Sequence, residues 1–103
     1  MKRPAAIGTV QIDNEQVKVT EWRFPPGGET GWHRHGMYYV VVPQTTGVLQ
    51  LETPEGVIDS QLTSGVAYSR PVGIEHNVIN PGATDFVFVE IELKTSMAVA
   101  QQN

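Results

Sequence analysis

Gly65-Val66-Ala67-Tyr68-Ser69-Arg70-Pro71-Val72-Gly73-Ile74-Glu75-His76-Asn77-Val78-Ile79-Asn80 is the stretch that decides the fold of this chain. Gly65 permits a sharp entry to a strand, and Pro71 with Gly73 builds a turn that fixes the direction of the next strand. His76 is then aimed from the start of that strand into whatever the sheet encloses. Asn80 is placed to cap the following turn through its side chain. Short strands punctuated by glycine and proline turns belong to a β-sandwich or a closed barrel.

Outward from this run the pattern repeats. Thr9 to Ile12 and Gln16 to Phe24 flank Asp13-Asn14-Glu15 as a hairpin, and the second run stops at Pro25-Pro26-Gly27-Gly28, where ladder pairing must end. Trp32 to Val42 reads as a strand bent at Gly36. Pro43 to Gly47 is a turn, Val48 to Glu52 a strand with Leu49 and Leu51 on one face, and Pro54-Glu55-Gly56 a tight connection into Val57 to Leu62. After Asn80-Pro81-Gly82, Asp85 to Lys94 forms a last strand. It carries Val87, Val89, Ile91 and Leu93 on one side and Phe86, Phe88, Glu90 and Glu92 on the other. No segment shows sustained helical periodicity, and the connections are too short for crossover helices. The chain therefore reads as all-β, with eight or nine strands in one domain spanning residues 1–94. Residues 95–103 lack any pattern that forces a fold and are expected to fray.

Composition narrows the function classes. A chain of 103 residues has room for one core, and a net charge of -4 opposes nucleic-acid binding, which needs clustered Lys and Arg. The absence of cysteine excludes disulfides, thiolate ligands and a cysteine nucleophile. Lys2 and Arg3 are followed by no apolar stretch of signal-peptide length, and no segment is long enough to span a bilayer. A cytoplasmic location without membrane contact is expected.

The chemistry lies in three histidines, the only ones in the chain: His33, His35 and His76. Side chains two apart on a strand share a face, so His33 and His35 point the same way and His76 can close a site from another strand. Neutral imidazoles on a rigid barrel suit one divalent transition metal such as Fe, Zn, Ni or Mn, with coordination positions left open.

Gly27-x5-His33-x-His35 resembles the first half of the cupin signature, and Gly65-x5-Pro71-x-Gly73-x2-His76-x3-Asn80 resembles its second half at every fixed position. The resemblance implies a double-stranded β-helix, or jelly-roll, barrel with motif one at about 27–47 and motif two at 65–80. Cupins usually place a glutamate shortly beyond the second histidine, where this chain has Tyr39 or Val40. By strand parity Tyr39 shares the face of His33 and His35, as do Met37 and Val41, so Tyr39 is expected in the space of the missing ligand. Its hydroxyl either serves bound water or substrate, as hydrogen-bond partner or proton donor, or is satisfied within a filled barrel.

The resulting ligand set resembles that of three-histidine cupins, which include thiol and diketone-cleaving dioxygenases. Three neutral ligands leave a site charge of about +2, which favours anionic or chelating molecules. Thr30 to Met37, Tyr39 to Pro43 and Glu75 to Asn80 are also similar to short bacterial cupins associated by name with β-alanine degradation, implying a bacterial metabolic role.

Other polar residues have two readings each. Glu90 either reaches inward as a substrate-binding or replacement acid or marks a solvated face with Glu92, which its alternation favours. Arg70 either pairs with a substrate carboxylate or forms a surface ion pair, the commoner use. Glu29 either influences the loop before His33 or is a solvated turn residue. Trp32 and Arg34 have the opposite parity to the ligands and are assigned to a sheet-packing or dimer surface.

The functional expectation is a metalloenzyme acting on a small organic acid or related metabolite, dioxygenase-like ahead of isomerase or lyase. A non-catalytic ligand-binding or sensing module and a structural barrel with a vestigial site are the alternatives. A homodimer is expected, because so small a barrel gains by covering a sheet edge.

Overall fold

The computed structural model describes residues 2–94, and among these the chain forms nine strands and no helix. No helix is therefore long and apolar enough to cross a membrane. Strands β1 (Ile7–Asp13) and β2 (Val17–Phe24) form the hairpin anticipated at Asn14, whose Oδ1 accepts from the backbone N–H groups of Gln16 and Val17 at 2.8 and 2.9 Å. A bulge between Val10 and Ile12 shifts the register within it.

The segment read as one bent strand is two strands in different sheets. β3 (His33–Arg34) ends before Gly36, and β4 (Tyr38–Pro43) begins after it. β5 (Gly47–Thr53) and β6 (Gly56–Leu62) make the next hairpin, and β7 (Tyr68–Arg70) and β8 (Glu75–Ile79) flank the Pro71 to Gly73 turn. β9 (Phe86–Leu93) closes the order. One sheet runs β1-β2-β9-β4-β7 and the other β3-β8-β5-β6, with every strand pair antiparallel. This is the double-stranded β-helix that the motifs imply.

Packing follows from which face of β9 turns inward. Phe86, Phe88 and Glu90 are buried, opposite Phe24, Trp22 and Thr20 of β2, whereas Val89, Ile91 and Leu93 lie half-buried on the outer face. Glu90 is thus not on a solvated face: hydrophobic alternation is symmetric about a strand, and the two phenylalanines carry the glutamate in with them. Phe24, Phe86, Phe88, Val41, Leu49, Leu62 and Val78 form the core with Tyr39, and the Phe24 and Phe88 rings lie 5.4 Å apart. Burying each such ring stabilises the fold by roughly 1.5–3 kcal/mol.

Asn80 caps its turn as expected. Its Nδ2 donates to the carbonyls of Phe24, Pro25 and Thr84, and its Oδ1 accepts from Gly82 N–H at 3.0 Å. The expected fraying of residues 95–103 lies outside the described residues.

Candidate metal centre

His33 and His76 are direct cross-strand partners on β3 and β8, so their side chains leave the sheet on one face. His35 follows β3 and is held by two backbone bonds: its N–H donates to Ile74 C=O and its C=O accepts from Gly73 N–H, both at 2.9 Å. Gly73 has φ +97°, a conformation glycine tolerates without strain. The Pro-x-Gly turn of the second motif is therefore clasped onto the second histidine of the first.

These constraints bring three imidazole nitrogens together. His35 Nε2 lies 2.9 Å from His33 Nε2 and 3.1 Å from His76 Nε2. The three rings meet edge to face, with centroids 4.6 to 5.1 Å apart. Two nitrogens about 2.1 Å from a shared ion stand about 3.0 Å apart when their bonds meet at a right angle, and about 3.4 Å apart at the tetrahedral angle. The observed spacings fit the right-angled case, which leaves other coordination positions open.

Protonation agrees with this donor set. Burial, reinforced by charge on His33, holds His35 and His76 down to about 4, so both are neutral at neutral pH and keep a lone pair. His33 Nδ1 stands 2.9 Å from Gly31 C=O, which can only accept. In the neutral ring the proton is therefore on Nδ1 and the lone pair on Nε2.

Tyr39 stacks on His35 at 3.9 Å between centroids and 18° between planes, and is 2% exposed. Parity placed it beside the histidines, yet it arrives from β4 in the other sheet. Burial raises its hydroxyl above the ordinary phenol range, with the charge of Glu90 adding. Met37, at the sheet change, does not line the pocket, whereas Val41 does.

The histidines line a pocket of 310 Å³ together with Tyr39, Tyr68, Glu90, Glu92 and Arg70 and an apolar wall that includes Leu49, Leu51 and Val78. Leu49 and Leu51 share this wall as anticipated. The carboxylates of Glu90 and Glu92 come within 4.8 Å of each other and of a His35 ring nitrogen. Burial, with Glu92 adding, pushes Glu90 up to about 7, while the Trp22 indole beside it pulls the other way. Arg70, paired in register with Tyr39, sits at the pocket wall with its guanidinium 5.4 Å from the Tyr68 ring centroid. Among the described residues it makes no ion pair, contrary to the surface-pair reading. Trp32 is 54% exposed and packs into neither sheet's core, whereas Arg34, from the same outward set, reaches the pocket lining.

Sequence reading passed over Asn77. It is 5% exposed, and its Nδ2 donates to Glu29 and Glu52 at 2.8 Å each while its Oδ1 accepts from Gly31 N–H at 2.9 Å. Glu29 is accordingly no idle turn residue: the Asn77 hydrogen bond, followed by that of Arg3, lowers its pKa.

Two antiparallel sheets enclosing a pocket lined by a histidine triad agree with the cupin arrangement, and the relatives show that the chain belongs to the cupin family. It is 62% identical over 92 residues to β-alanine degradation protein BauB of Pseudomonas aeruginosa, covering 89% of this chain and 97% of that protein. A cupin domain crystal structure from Bordetella pertussis Tohama I matches with TM-score 0.91 and 78% identity, covering 92% of this chain and 99% of that one. The polyketide cyclase RemF of Streptomyces resistomycificus shares the fold alone, with TM-score 0.69 and 20% identity over 92% of this chain and 71% of that one. No family model matches the chain.

Proposed function

We propose that this cupin is a metal-dependent enzyme acting on a small organic acid or a closely related metabolite. The observation that carries the reading is the convergence of three imidazole nitrogens in the lining of a 310 Å³ pocket. His33, His35 and His76 hold the ion. A divalent ion there supplies Lewis acidity and, as ferrous iron, dioxygen chemistry as well.

The chain's own residues then divide the work. Arg70 meets a substrate carboxylate from the pocket wall. Tyr39 and Glu90 are the groups able to hold or pass a proton beside the histidines. The apolar wall of Leu49, Leu51 and Val78 excludes water from the rest of the molecule. A dioxygenase is the favoured reaction class, ahead of an isomerase or lyase, since three neutral ligands match the ligand set of three-histidine dioxygenases. The name of the Pseudomonas relative directs the substrate panel to β-alanine and acids of its breakdown.

The test is metal content in protein purified without a histidine tag, followed by oxygen uptake and substrate loss across small acids and thiols. Stoichiometric metal with turnover is expected. Full metal without turnover on any acid would instead leave a binding module, and no metal after reconstitution sinks the reading.

A further inference from the structure

We propose that Asn77 is a positioning residue that fixes the tautomer of His33, and so makes the triad competent to bind metal. The inference rests on the metal-site reading above. It starts from an amide whose orientation is determined by its partners. The two groups on Asn77 Nδ2 are the Glu29 and Glu52 carboxylates, which accept, and the backbone group on Oδ1 is the Gly31 N–H, which donates. Arg3 binds the same two carboxylates at 3.1 and 3.8 Å, which closes the cluster on its outer side.

The hold passes through Gly31 at the shorter distances, with the Thr30 hydroxyl as a longer second link, 3.3 Å from His33 Nδ1 and 3.4 Å from Asn77 Oδ1. Gly31 has φ +87°, which lets its N–H face Asn77 while its C=O turns back to His33 Nδ1 at 2.9 Å. Thr30 supports the same peptide: its backbone N–H donates to Val78 C=O, its hydroxyl accepts from Val78 N–H, and the same hydroxyl lies 2.9 Å from Gly31 C=O. His33 is the one histidine of the three that is only half-buried, so a polar partner at Nδ1 must impose its tautomer. The Gly31 carbonyl does so, and Asn77 aims that carbonyl. On β8 the chain therefore places a ligand, His76, on the inner face and the positioning residue for its cross-strand partner on the next residue outward.

Imidazole nitrogen shifts of the metal-free protein and Zn²⁺ affinity, read by competition with a chromophoric chelator, test this together. Wild-type His33 is expected to carry its proton on Nδ1. In Asn77→Ala that tautomer is mixed and Zn²⁺ affinity falls at least about tenfold, the scale seen when an outer-shell partner of a metal histidine is lost. Gly31→Ala, which strains the backbone that carries the carbonyl while keeping the Asn77, Glu29 and Glu52 side chains, gives the same loss and serves if Asn77→Ala does not fold. A wild-type His33 protonated on Nε2, or a folded variant that keeps both tautomer and affinity, overturns the proposal. A wild-type protein with the Nδ1 proton that takes up no Zn²⁺ sinks the metal site and upholds the Asn77 to His33 linkage.

Discussion

Three imidazoles, a stacked phenol and a buried carboxyl have different duties, and single substitutions separate them. His76→Ala removes one nitrogen of the proposed metal site and should lower metal affinity at least about tenfold. Tyr39→Phe keeps the ring against His35 and should leave metal content unchanged while altering substrate turnover. Loss of metal in Tyr39→Phe, measured by elemental analysis, would make Tyr39 a ligand rather than a neighbour. Glu90 gives a pH-dependent expectation for the chelator-treated protein. Its folded value of about 7 lies above its ordinary 4.5, so folding takes up a proton between these values, and stability falls as pH rises through 7. His35 and His76, held at about 4 against 6.5, act in the opposite sense and cost stability as pH drops from 6.5 toward 4. Glu90→Gln should therefore be more stable than wild type at pH 8 by about 1–3 kcal/mol, with most of the gain gone at pH 5, by urea midpoint. Equal gains at both pH values would mean that the buried charge is not what matters.

At the scale of elements, the turn between β7 and β8 is the most sensitive connection. Gly73→Ala forces a side chain into a left-handed backbone conformation and brings its Cβ to 3.4 Å from Arg34 Nη2. The expected loss is about 1–2 kcal/mol, together with faster amide exchange at residue 73 as the bond to His35 C=O weakens. Unchanged exchange there would show that the clasp survives the substitution. This turn was legible in the sequence, because Pro-x-Gly states its own geometry. The break between β3 and β4 was only half legible: Gly36 signalled a bend, but whether a chain bends within a sheet or leaves it depends on strands far away in sequence. Glu90 was misread for a related reason. Alternation reveals two faces and is silent about which one the opposing sheet will cover. Asn77 left no local signal, since its partners Gly31 and Glu52 are 46 and 25 residues distant.

For the whole molecule, the outer face of the five-stranded sheet is the feature without a counterpart in the site chemistry. Val19 of β2, Val89 and Ile91 of β9, and Val40 and Val42 of β4 form one apolar stripe across three adjacent strands. Edge strand β1 adds Ile7 and Ile12, 60% and 48% exposed. The homodimer expected from the sequence is predicted to use this surface. Light scattering should give twice the chain mass, and Ile91→Lys should shift it to the monomer while leaving the histidine triad, on the far side of the sheet, able to take up metal. A wild-type monomer at micromolar concentration would remove the dimer.

The crossing at Gly36 has a further meaning. The second histidine belongs to the end of one sheet, and the tyrosine stacked on it belongs to the beginning of the other, with only Gly36, Met37 and Tyr38 between them. The pocket is thus seated on a joint, and the path of those few residues sets how the side chains of the two sheets meet across it. A change in that short crossing would shift Tyr39, Arg70 and Glu90 against the three histidines without replacing any of these side chains.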